Sequence, residues 1–277
     1  MKIVDINDEG LKTKLRQSIK SKNIVPFIGS GFTKGIKTPK GCVPSGTQML
    51  MYMKEKLSQY YDNDIAEFNT WSFSQTANEY NKVITTSNKE QYLRNNFTYV
   101  VITDVLKCGF IEHDWDYLYT VNIDNGIENT NKDLRVIQPH KKIKESYINE
   151  NKVLFKLHGD VDYSLCYEKE YNLILGTSDY AQSIRSNFPL LKILMNDFTN
   201  KDIIYLGCSL DDELDLLSIR DFGIDQNNSQ NTVYYITTEN LSKLQQSRLV
   251  DYGVNTIIKL DEYDSFYLLI RNLCVWQ

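Results

Sequence analysis

The sequence predicts an α/β domain built on a mostly parallel sheet, and three observations carry that prediction. Short apolar runs rich in β-branched and aromatic residues recur at 24–28, 117–122, 153–157, 203–208, 233–237 and 256–260, as strands buried on both faces do. Stretches with helical spacing lie between them, at 45–60, 72–110, 186–200 and 239–250, and such alternation is the mark of parallel strands joined by crossovers. No stretch is Pro-rich, Gly/Ser-rich or a long block of one charge, and no internal repeat is evident. With no linker to divide it, the chain is expected to form one domain over 1–277.

Taken in order, the first strand, Ile24-Val25-Pro26-Phe27-Ile28, runs into Gly29-Ser30-Gly31-Phe32-Thr33. A glycine-rich turn after a strand and before a helix lets backbone N–H groups approach an anion closely, with the helix N-terminus adding a favourable field. No Gly-Lys-Ser/Thr follows at the P-loop offset, and Gly35 falls one position late for G-x-G-x-x-G, so the standard dinucleotide fingerprints do not apply. A plain strand-to-helix turn without a ligand is an equal reading. Region 60–112 carries few strand signals and is expected to form a helical insertion beside the sheet. The polar stretch 129–151, with "PHKKIKE" inside it, reads as a loop or edge excursion. The chain stops soon after "FYLLIRNLCVW", a finish that fits the N-terminal part of a longer protein.

Three later stretches place chemistry at strand ends, the rim where α/β folds bind ligands. In "YTVNIDNGIENT", Asn122 can donate and accept hydrogen bonds and ionised Asp124 only accepts. Together they could hold a ribose or an attacking water; an Asx turn or helix cap is the alternative. In "FKLHGDVDY", His158 follows a strand, and histidine as a residue type suits a general base as well as a satisfied structural side chain. The other histidines, His113 and His140, have no strand ahead of them. In "IIYLGCSLDDELD", Gly207, Cys208 and Ser209 form a second small-residue turn before acids that equally fit a capped helix.

Composition narrows the function classes. A net charge of -5 and a pI near 5.4 provide no basic field for a polyanion, so direct nucleic-acid binding is disfavoured. The acidic start "MKIVDINDEG" does not resemble a secretory signal, and no apolar run reaches spanning length, which points to a cytoplasmic protein with no membrane partner. The five cysteines are scattered without a C-x-x-C pair, so they read as reduced and no metal is expected.

In order, the four motif stretches resemble the Sir2 (sirtuin) family, and more closely its SIR2-like branch in bacterial anti-phage defence. The G-A-G loop and following Ser or Thr stand here as Gly29-Ser30-Gly31-Phe32-Thr33. T-x-N-x-D is Thr120-Val121-Asn122-Ile123-Asp124, continued by Gly126-Ile127-Glu128; H-G-D is His158-Gly159-Asp160; and G-x-S is Gly207-Cys208-Ser209. Ile236-Thr237 stands where the family's last core strand meets the adenosine end of the cofactor. The resemblance implies a Rossmann-like sheet with helices on both faces and a site for NAD, used as substrate. It implies that the diphosphate lies over Gly29 to Gly31 near Thr33, and that Asn122 orients the nicotinamide ribose or its water. It also makes His158 the base, Asp124 a ribose or nicotinamide contact, and Gly207, Cys208 and Ser209 the ribose and diphosphate side.

The departures from classical deacylases are informative. The zinc module with two cysteine pairs is missing, Val121 stands where they carry Gln, and "GIKTPKGCVPSGTQML" replaces their G-I-P-D-F-R run, so acyl-lysine recognition loses support. The resemblance therefore implies an NAD+ glycohydrolase acting as a defence effector. Protein deacylation, ADP-ribosyl transfer and a non-catalytic NAD+ or ADP-ribose sensor are the alternatives. Because a free NAD+ hydrolase would drain its own cell, homo-oligomerisation or a partner protein or domain is expected to control it.

Overall fold

The computed structural model describes residues 1–61, 65–139, 152–166, 173–210, 213–214, 216–218 and 231–274. Strands β1 (Lys2–Asp5), β2 (Ile24–Ile28), β5 (Tyr117–Thr120), β6 (Arg135–Ile137), β7 (Val153–Lys156), β8 (Asp202–Leu206), β9 (Val233–Thr237) and β10 (Thr256–Lys259) form one sheet. Its order is β1-β10-β9-β8-β2-β5-β7-β6 and every pairing is parallel. A small antiparallel hairpin, β3 (Lys37–Thr38) and β4 (Gly41–Cys42), stands apart from it.

The helices are α1 (Glu9–Lys20), α2 (Gly46–Ser58), α3 (Ile65–Phe68), α4 (Phe73–Val83), α5 (Thr86–Phe97) and α6 (Val105–Glu112), then α7 (Gly126–Thr130), α8 (Val161–Cys166), α9 (Thr177–Ser186), α10 (Phe188–Asn200), α11 (Lys243–Asp251) and α12 (Tyr263–Cys274). Local chemistry sets several starts. Asp8 accepts from the Leu11 N–H to cap α1, and Ser45 with Gln48, Ser72 with Gln75 and Ser242 with Gln245 form reciprocal capping boxes on α2, α4 and α11. In α1, Leu11, Leu15 and Ile19 make the buried stripe.

Period-two alternation splits the central strands between two layers. Ile24 and Ile28 of β2, with Ile204 and Leu206 of β8, face the core shared with α1, α6 and α12. Val25 and Phe27, with Ile203 and Tyr205, face the core shared with α10 and α11. The expected α/β, Rossmann-like sheet covered on both faces is the observed one. Pro26 lies inside a central strand, a position that normally excludes proline because it cannot donate to a ladder. Its strand pairs with β5 only from Phe27 onward, so Pro26 sits where that flank is not yet paired.

A third cluster, with Val43, Met49, Met53, Ala77, Tyr80, Leu93 and Phe97, builds a helical lobe from α2, α4 and α5. The helices of 60–112 thus divide: α6 sends Phe110 and Ile111 into the core beneath the sheet, and the lobe reaches back to α2. Within 129–151, residues 135–137 form the edge strand β6; 140–151 lie outside the described residues, and His140 with them.

Candidate functional site

Strands β2 and β8 are neighbours whose outgoing connections lead to opposite halves of the sheet, toward β5 and toward β9. This is a switch point, where the turns leaving the strands separate and open a crevice. Both glycine turns emerge there and press on each other. The Gly29 N–H donates to the Leu206 carbonyl at 2.9 Å and the Gly31 N–H to the Gly207 carbonyl at 2.8 Å. A Cβ on Gly29 would lie 2.5 Å from the Gly207 carbonyl oxygen and 2.7 Å from Cys208 Sγ, and one on Gly31 would lie 2.9 Å from that same oxygen. Gly207 has φ +68 and no room for a side chain against the Phe32 N–H.

The first turn differs from expectation in two respects. The N–H groups of Gly29, Gly31 and Phe32 bond within the protein, the last to the Gly29 carbonyl at 3.0 Å, so those donors are engaged. Nor does a helix follow directly: turns over 30–35 and the β3–β4 hairpin intervene before α2. The N-terminus of α2 nevertheless lines the same cavity through Ser45, Gly46 and Thr47, so the positive end of a helix reaches the crevice from farther along the chain.

Asn122 sits just beyond β5. Thr120 Oγ1 donates to the Ile28 carbonyl at 2.8 Å and accepts from the Asn122 N–H at 3.0 Å, pinning the start of the turn to β2. The Asn122 Nδ2 donates to Thr33 Oγ1 at 3.0 Å, and that hydroxyl donates to Asp124 Oδ2 at 2.7 Å. Asp124 Oδ1 accepts from the Gly126 N–H at 2.9 Å, an Asx turn. Burial pushes the Asp124 carboxyl above the usual carboxylate range, only partly offset by Lys156 and by the bonds from Thr33 and Gly126. The remaining polar atom, Asn122 Oδ1, is buried without a partner. Such an orphan is uncommon in folded proteins.

His158 follows β7 and is 6% exposed, with its ring edge-on to Tyr180 of α9 at 5.4 Å between centroids. Below it, the fully buried Lys156 ammonium contacts Glu128 Oε1 and Asp160 Oδ2, both at 2.6 Å. Asp160 also caps α8 by accepting from the Tyr163 N–H at 2.8 Å.

One cavity of about 860 Å³, within the size range of small-molecule sites, joins these parts. Ser30, Gly31, Phe32, Asn122, Asp124, His158, Gly207, Cys208, Ser209 and Thr237 line it. Gly29 and Thr33 are buried behind that surface, Gly29 under the Cys208 turn and Thr33 bridging Asn122 to Asp124. Burial drives the Cys208 thiol pKa well up, which keeps it a neutral wall group. Thr237 Oγ1 accepts from the Glu239 N–H at 3.0 Å. Sequence reasoning missed Tyr180, Lys107 and Lys156. Lys107 donates to the Phe32 carbonyl at 2.8 Å and also lines the cavity. A lysine in the apolar run Val153-Leu154-Phe155-Lys156-Leu157 was the available signal, since such a charge must find buried acids.

Among the described residues, no group of three or more His, Cys, Asp or Glu is arranged to hold a metal ion, and no helix is long and apolar enough to cross a membrane.

Fold and site together define a Rossmann-like α/β protein with a cavity at the switch point of its sheet. A family model described as SIR2-like domain matches residues 116–257, from the start of β5 into β10. The chain belongs to the SIR2-like domain family, which implies an NAD-related activity and NAD binding or use. No curated protein matches the chain significantly.

Proposed function

We propose that the chain is an NAD+ glycohydrolase, a single SIR2-like domain that converts NAD+ and water to ADP-ribose and nicotinamide. The observation that supports this reading is that Asn122, whose amide oxygen Oδ1 is buried without a partner, lines the same cavity as His158 and the two glycine turns. Breaking the nicotinamide–ribose bond passes through an oxocarbenium-like state, so a water must be held on one face and relieved of a proton. Asn122 Oδ1 accepts a hydrogen bond from that water or from a ribose hydroxyl, and His158 takes the water's proton. The C1′–N bond breaks with its electron pair going to nicotinamide, which leaves neutral, while the water oxygen bonds to C1′. The α2 N-terminus receives the diphosphate where the side-chain-free glycine turns leave it room, and the β9 end, with Thr237, receives the adenosine side.

The resemblance to the defence branch supports an effector that depletes NAD+ in the cytoplasm, held inactive until assembly or a partner releases it. Incubation of the purified chain with NAD+ and no acyl-lysine acceptor is the test, with products read by mass spectrometry. Nicotinamide and ADP-ribose in equal amounts are expected. Binding without turnover would instead favour the sensor reading, and turnover only with an acyl-lysine peptide would favour deacylation.

A further inference from the structure

We propose that Lys156 is a positioning residue for this reaction, the buried post that holds the Asn122 turn and the His158 turn together; the proposal rests on the glycohydrolase reading. Residues 121–125 lie between β5 and α7 with neither ladder nor helix to fix them. Beside the bonds with Thr120, Thr33 and Val161, the ammonium of Lys156 gives them a buried anchor shared with the His158 turn. It donates to the Asp124 carbonyl at 2.6 Å, to Glu128 Oε1 at 2.6 Å and to Asp160 Oδ2 at 2.6 Å, with the Ile123 carbonyl at 3.5 Å. Three donors thus meet three close acceptors.

Those acceptors are distributed in a telling way. Two of the four follow Asn122 directly in the main chain, Glu128 is on the short helix leaving that turn, and Asp160 is two residues past His158. A single nitrogen therefore ties both reactive turns to one point. Main-chain bonds run alongside: the Leu157 N–H donates to the Thr120 carbonyl at 2.8 Å and the Val161 N–H to the Ile123 carbonyl at 2.9 Å.

Stability alone does not account for the arrangement. Buried ion clusters are costly to desolvate, and apolar or neutral replacements of similar volume are often no less stable. What the lysine provides and an apolar side chain does not is a fixed position for two carbonyls beside Asn122.

Lys156→Met alone would leave the buried Glu128 and Asp160 without their countercharge, and is expected to unfold. The informative variant is the neutral triple Lys156→Met, Glu128→Gln, Asp160→Asn, in which no buried charge of the cluster remains. It is expected to melt as a folded protein, with kcat for NAD+ lowered about 10²-fold and KM within about threefold, the signature of misplacing reactive groups by about 1 Å. In nuclear magnetic resonance spectra, the Asn122 side-chain amide and His158 ring signals should move relative to wild type. A folded triple variant with unchanged turnover and unchanged signals would overturn the proposal. If wild type released no nicotinamide while the two signals still moved in the variant, the glycohydrolase reading would fall and the positioning role of Lys156 would stand.

Discussion

The amide nitrogen of Asn122 is held by the hydroxyl of Thr33 at 3.0 Å, and this bond decides which end of the amide is left without a partner. Because Thr33 Oγ1 gives its own proton to Asp124 Oδ2 at 2.7 Å, it can only accept from Asn122. The Oδ1 atom is thereby left as the unpaired end of the amide. Thr33→Val keeps the shape and removes the relay, leaving buried polar groups unpaired at a cost of about 1–3 kcal/mol. Its expected phenotype is a folded protein with turnover reduced about tenfold to a hundredfold, since an amide free to flip presents its acceptor only part of the time. Thr33→Ser should recover most of the activity. Nicotinamide release and thermal melting of both variants check this, and equal turnover in Val and Ser variants would rule it out.

Asn122→Ala and His158→Ala address the chemistry itself. Each should remain folded by circular dichroism. Loss of a proton-accepting group in the transition state typically costs 10²- to 10⁴-fold, so turnover by His158→Ala should drop by about that factor. Asn122→Ala removes the acceptor without touching the base, and at least about a 10²-fold loss is expected if water orientation matters as much as a donor in an oxyanion hole. Wild-type-like NAD+ hydrolysis by either variant would remove that residue from the site.

The glycines can be tested against one another. A methyl on Gly29 meets main-chain atoms of the Gly207 turn at 2.5 and 2.7 Å, which cannot move aside as a flexible side chain would. Gly46, at the start of α2, has nothing within 4 Å of the same methyl. Gly29→Ala should therefore destabilise the protein by about 1–3 kcal/mol, the usual cost of overpacking, while Gly46→Ala should stay within about 0.5 kcal/mol of wild type. Urea unfolding of the two variants separates them. Similar midpoints would mean that the turns yield more easily than their contact distances suggest.

Much of this architecture was legible because the sheet is buried on both faces. Runs such as Ile24–Ile28 and Val233–Thr237 had to be apolar throughout, and their limits coincide with the observed strands. The edge strands were hidden for the same reason: β1 exposes Lys2, Ile3 and Asp5, and β6 exposes Arg135, so neither shows a continuous apolar run. The Asn122 and His158 turns were visible as polar residues directly after such runs. The part played by Thr33 was not, because a threonine beside a glycine turn looks the same whether it faces a ligand or an internal carboxylate. Tyr180 reaches His158 from α9, 22 positions along the chain, and no local pattern announces a contact of that kind.

The Lys156 cluster gives stability a pH dependence whose sign can be worked out. A single lysine faces two carboxylates, Glu128 and Asp160, so ionising both leaves an excess negative charge in a buried place. Asp160 is held below the usual carboxylate range: burial raises it, but Lys156 outweighs that and the Tyr163 N–H adds to it. Glu128 absorbs the excess instead. Burial pushes it up to about 7 despite its contact with Lys156. Its folded pKa thus exceeds its unfolded value of 4.5, and the native state binds the proton more tightly. The stabilisation is whole below pH 4.5 and is lost as pH rises through about 7, on the order of 3 kcal/mol in all. Glu128→Gln cannot ionise, so wild type should lose stability relative to this variant between pH 5 and 8. Urea unfolding of both proteins across that range measures the difference. A difference running the other way would mean that Lys156 keeps Glu128 charged, and that the proton is carried by another acid of the cluster.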